Sequence, residues 1–112
     1  MKSTKDILHQ IHDPHLSHDK RARLRCRLAK QLEEVGKYES AREAMGELWG
    51  NFSDPPDLED LDQRTKAEVL LRVGTLTGWL GATKQIEGAQ ERAKDLITQS
   101  IESFEALQEV KK

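Results

Sequence analysis

The chain has 112 residues, 34% of them charged and 36% hydrophobic, with a net charge of −2 in which both signs are interspersed. That length matches one domain burying only about two-thirds of its unfolded surface, and the low apolar content predicts a lean core. The charge balance excludes a strong field for nucleic acid or anionic lipid, and a single cysteine, Cys26, excludes an internal disulfide framework.

The N-terminal MKSTKDILHQIHD holds no apolar run of signal-peptide length. Residues 69–82, VLLRVGTLTGWLGA, carry Arg72 and are too short for a membrane span, which needs about 20 apolar residues. A cytoplasmic location with no membrane contact is the expectation, and it agrees with a lone reduced thiol.

Helical spacing of apolar residues runs through the whole chain, and no segment alternates like a half-buried strand. A first helix is predicted over 4–12, with Ile7, Leu8 and Ile11 on one side; Asp13-Pro14 ends it, because the residue before proline is pushed out of the helical region. A second, capped by Ser17 or Asp19, runs to 35 with Leu24, Leu28, Leu32 and Val35 as its stripe, and Gly36 stops it. A third spans 38–49 with Tyr38, Ala41, Met45 and Leu48 on one face. GNFSDPPD at 50–57 is the clearest break, since Pro55-Pro56 forbids a helix interior. A long helix follows over 61–80, then a loop at 81–87, then a final helix over 88–110 presenting Ala93, Leu96, Ile97, Ser100, Ile101, Phe104 and Leu107.

The chain repeats itself. Counted from Gly36, Tyr38, Ala41, Met45 and Leu48 stand at the same offsets as Gln90, Ala93, Ile97 and Ser100 counted from Gly88. Leu28, Ala29 and Leu32 precede Gly36 as Val73, Gly74 and Thr77 precede Gly81. The small residues let helices of a hairpin approach closely, while Met45, Ile97 and Phe104 fill the space between hairpins. In RCRLAKQLEEVGKYESAREAMGELWGNFSDPP, with Gly36-x-Tyr38-x-x-Ala41 and prolines after the second helix, this order resembles the tetratricopeptide repeat family; the 58–112 unit matches less closely. Two departures stand out: Arg25 where the family commonly has a large aromatic, and 45 residues between Gly36 and Gly81 where the family period is about 34.

The resemblance implies an all-α fold of antiparallel helical hairpins, a fragment of a right-handed α-solenoid with about five helices in one domain over 1–112: an N-terminal helix at 1–16, a first hairpin at 17–57 and a second at 58–112. It also implies a concave groove lined by the first helix of each hairpin, here Arg23, Cys26, Arg27, Lys30 and Glu33, then Glu68, Leu71, Arg72, Thr75, Gly78 and Trp79. Arg23, Arg27, Lys30, Arg72, Thr75 and Trp79 are the expected partner-binding residues, suited to a carboxylate or an acidic peptide. The same cations can instead balance Glu33, Glu39, Glu43 and Glu47.

Other chemistry is thinly signalled. His9, His12, His15 and His18 recur every third residue, a spacing that suggests metal, but Pro14 interrupts the run and no HExxH or paired cysteine accompanies it. Phosphate-loop and nucleophile-elbow spacings are absent, so neither catalysis nor a cofactor is expected. Cys26 between Arg25 and Arg27 reads as a packing residue, and Trp49 and Trp79 as packing aromatics. The expected function is a non-catalytic protein-interaction or scaffold module with a protein or peptide partner. A regulatory domain for a small peptide or signal molecule, and a histidine-based metal protein, are the alternatives. The apolar face of the last helix predicts either a homodimer through it or a place in a longer repeat array.

Overall fold

A computed structural model describes residues 4–110. Five α-helices make up the fold: α1 (Thr4–Ile11), α2 (His18–Glu34), α3 (Tyr38–Met45), α4 (Gln63–Lys84) and α5 (Ala89–Val110), with one 3₁₀ turn, Gly46–Leu48, after α3. The described residues contain no strand.

Local chemistry sets most helix ends. Ser17 caps α2 by accepting from the Lys20 N–H at 3.2 Å, and Asp62 caps α4 by accepting from the Thr65 N–H at 2.9 Å. Arg21 reaches back from α2 and donates to the carbonyls of Ile11 at 2.9 Å and Asp13 at 2.8 Å, satisfying groups that the end of α1 leaves without helical partners. Gly36, at φ +79°, turns the chain between α2 and α3.

Three sequence expectations change. Val35, counted in the apolar stripe of the second helix, is 68% exposed, because the helix ends at Glu34 and the chain turns away. The third helix stops at Met45, not 49: Gly46 adopts φ +55°, ψ −132° and the chain tightens into the 3₁₀ turn. The fourth helix continues through Gly81 to Lys84 where a loop was expected, and ends at Gln85 in the left-handed region. Gly81 is buried, and a Cβ on it would collide with Ala89 at the start of α5. The glycine is a point of close helix approach instead of a stop.

Packing follows from these elements. α4 lies against both α2 and α3, and its other side carries α5, while α1 covers the outer side of α2. The main core joins Ala22, Cys26 and Ala29 of α2, Ala41 and Met45 of α3, and Val69, Leu70, Val73, Leu76 and Leu80 of α4. A smaller cluster seats Ile7 and Ile11 of α1 on Leu28, so that α1 covers part of the first hairpin. Ala29, Ala41, Gly74 and Ala93 are all buried, so the small residues do line the seams. The Ser100 hydroxyl, also buried, donates to the Ala67 carbonyl at 2.8 Å and ties α5 to α4.

The long connection between the hairpins is packed as well. Trp49 is buried against Phe52, ring centroids 5.7 Å apart, with the Arg42 guanidinium 5.2 Å from its ring. Arg92 of α5 sits over Phe52 at 5.4 Å. Trp79 is different: it is half exposed and stacks on Tyr38 at 5.2 Å with planes 8° apart.

Candidate functional site

α2 and α4 run side by side because Ala22, Cys26 and Ala29 meet Val69, Leu70 and Val73 in one core. Beside that contact the two helices border a cleft of about 680 Å³. Its α2 wall is Arg23, Cys26, Arg27 and Lys30; its α4 wall is Arg64, Glu68, Leu71 and Arg72; Phe104 of α5 completes the lining. Arg23, Arg64 and Phe104 continue into a second trough of about 420 Å³ that adds Leu107.

Of the six residues expected to bind a partner, Arg23, Arg27, Lys30 and Arg72 border this cleft, whereas Thr75 and Trp79 do not. Thr75, one turn beyond Arg72, donates to Glu33 at 3.0 Å, and Trp79 lies a further turn along against Tyr38. Arg64 and Phe104 were not foreseen. Arg64 is one helical turn before Glu68, so the same-face rule could have found it; Phe104 arrives only because α5 folds back along α4.

The four expected cations are not equivalent. Arg23 forms ion pairs with Asp19 at 3.2 Å and Asp62 at 2.6 Å, and its Nε donates to the Thr65 hydroxyl at 3.0 Å. Asp19 also accepts from the Asp62 N–H at 2.9 Å and from the Thr65 hydroxyl at 3.2 Å. Arg23 therefore holds the start of α4 onto the start of α2. Arg72 pairs with Glu33 at 3.2 Å, both side chains largely buried, and bridges the helices further along. Arg64 lies 3.7 Å from Glu68. Arg27 and Lys30 are exposed and have no ion-pair partner among the described residues. They are the cations that an incoming anion meets without first displacing a carboxylate.

The capping network has a pH signature. The Asp62 carboxyl is held below its ordinary value near 3.8, chiefly by the Thr65 N–H, against the opposing effect of desolvation and with help from the Thr65 hydroxyl and Arg23. A depressed carboxyl stabilises the fold above its unfolded value, and that contribution disappears as pH falls through its folded value. Asp62→Ala is expected to cost about 1 kcal/mol at pH 7, as for a lost N-cap. The deficit relative to the parent chain should shrink below about pH 4, measured by urea unfolding across a pH series; a deficit that stays constant down to the acid limit would contradict the charge component.

Cys26 contributes apolar bulk to the cleft floor. Burial pushes its thiol up to about 12, reinforced by the Glu68 carboxylate and opposed by Arg72, so it is a protonated thiol at neutral pH. The histidines do not converge: His9 is exposed on α1, His12 is exposed in the turn just after it, His15 is exposed with its backbone N–H bonded to Asp13, and His18 opens α2. Among the described residues no three His, Cys, Asp or Glu side chains come together in a way that could hold a metal ion. No described helix is long and apolar enough to cross a membrane.

No protein-family model matches the chain, and comparisons with curated proteins and with solved structures return no significant match.

Proposed function

We propose that the chain is a non-catalytic, cytoplasmic interaction module of tetratricopeptide type, whose cleft between α2 and α4 holds an acidic segment of a protein partner. The observation that carries this reading is the pairing of two uncommitted cations, Arg27 and Lys30, with an apolar floor of Leu71 and Phe104 in one cleft. An Asp or Glu side chain, or a terminal carboxylate, gains charge-assisted hydrogen bonds from the cations, and a neighbouring apolar side chain is drawn from water onto the floor. The packing of α4 against both helices of the first hairpin, over Ala29, Ala41 and Met45, supports the repeat reading.

The test is binding to an array of synthetic peptides in which one Leu or Phe is flanked by Asp and Glu, with the acids replaced by amides as controls. Arg27→Glu with Lys30→Glu should weaken the best acidic peptide by about tenfold to a hundredfold, one to two charge contacts' worth, and flatten its salt dependence. Both side chains are exposed, so the fold should be unaffected. Equal binding by the parent and the double variant would remove the cleft from consideration.

A further inference from the structure

α5 has an extensive interface with α4 and with no other element. Flanking the α4 contact, Lys94, Ile97, Ile101, Phe104 and Gln108 follow one another in steps of three and four, the spacing of a two-helix seam; Gln90, a turn earlier, is held by the Gly78 carbonyl of α4 at 2.9 Å. Ile101 is 50% exposed, and Ile97 and Phe104 are only partly buried. Met45, the residue equivalent to Ile97 in the first hairpin, is fully buried within the core that α4 completes. The second hairpin thus leaves open what the first has covered.

We propose that this stripe is the seam of a homodimer in which two copies pair their α5 helices antiparallel. Charge chooses both the occupant and the direction. Lys94 and Glu105 are exposed on this side of α5, and neither has an ion-pair partner among the described residues. In one antiparallel register Ile97 faces Ile101 of the second copy, and Lys94 lies across Phe104 with Glu105 beside it. A two-fold axis makes each of these contacts twice, so the stripe is complementary to itself. Parallel pairing would set Lys94 against Lys94, which is repulsive, and would carry Glu105 to the flank away from both. The seam is short and polar at both ends, which places the dissociation constant in the micromolar range, on the order of 10 µM to 100 µM.

The test is sedimentation equilibrium of the full chain from about 1 µM to about 1 mM, with far-UV circular dichroism to confirm that each variant is folded. The parent should pass from monomer to dimer across this range. Ile101→Glu, at an exposed position, should raise the dissociation constant at least about tenfold, by burying a charge in the seam. Lys94→Glu and Glu105→Lys should each weaken association, and the two together should recover most of the parent's affinity. That recovery is specific to the antiparallel register, because in a parallel pair Lys94 and Glu105 of the two copies do not meet. A chain that stays monomeric to about 1 mM, a dimer indifferent to Ile101→Glu, or a double variant as weak as the singles would each overturn the proposal. Sedimentation is read on the chain alone; Phe104 lies in both the seam and the lining of the cleft, whereas Arg27 and Lys30, on which the peptide test turns, are outside the seam.

Discussion

Replacing Gly74 with leucine is expected to destabilise the chain by about 3 kcal/mol, the upper part of the range for forcing bulk into a packed interior. A Cβ added at Gly74 would lie 2.8 Å from Cγ1 of Ile97, 3.1 Å from Cβ of Leu96 and 3.2 Å from the backbone nitrogen of Ile97. The first neighbour could rotate away; the last is main chain in the middle of α5 and moves only if the helices separate. Separation would break the buried Ser100 hydrogen bond to Ala67 and loosen Leu96 in the main core. Gly78, one turn further along the same helix, is the control. Its added Cβ would meet Ala93 at 3.6 Å, an ordinary contact. Gly78→Ala should therefore be neutral or stabilise by up to about 1 kcal/mol through helix propensity. Thermal unfolding followed by circular dichroism reads both: a fall of roughly 10 °C to 15 °C for Gly74→Leu and none for Gly78→Ala. Similar responses at the two positions would mean that α4 and α5 do not meet along this seam.

Gly46→Ala should cost about 2 kcal/mol, and for a different reason. At φ +55°, ψ −132° the residue lies outside the left-handed helical basin that other residues can visit, so any Cβ is strained there whatever the space. The space is also taken. The added Cβ would sit 2.5 Å from Nη1 and 2.7 Å from Cζ of Arg25, whose Nη1 donates to the Ala44 carbonyl at 3.2 Å. Arg25 stands where the resembled family commonly has a large aromatic, and its guanidinium occupies the gap that Gly46 leaves. Gly36 provides the contrast, with a positive φ but nothing within 4 Å of an added Cβ. Gly36→Asn should cost only a few tenths of a kcal/mol, because asparagine tolerates the left-handed region. Asparagine at Gly46 should fare no better than alanine. Urea unfolding of the three variants checks the ordering; a tolerated Gly46→Asn would show that strain at this residue does not limit α3.

The two glycines also show where sequence reading stops. Which segments become helices was determined locally, by the period of the apolar residues, by Ser17 and Asp62 as caps, by Pro14 and by Gly36, because each acts on groups within a few residues of itself. The repeat of small and large residues likewise announced that Ala29, Ala41, Gly74 and Ala93 would be buried, since only small residues admit a second backbone. Tertiary structure decided everything that depends on a neighbour distant in the chain. Gly81 reads as a stop signal until Ala89 needs its space, and Gly46 ends α3 where Arg25 lies across it. Arg23 reads as one more cation on a basic stripe, yet Asp62 and Thr65, some 40 residues on, make it a strut between helices. Phe104 belongs to the cleft only because α5 returns along α4. A residue's type and its local period set which face it occupies; which groups wait on that face is a property of the folded chain, and for Arg27 and Lys30 it is that Glu68, the carboxylate in their cleft, lies against Arg64 that leaves their charge available.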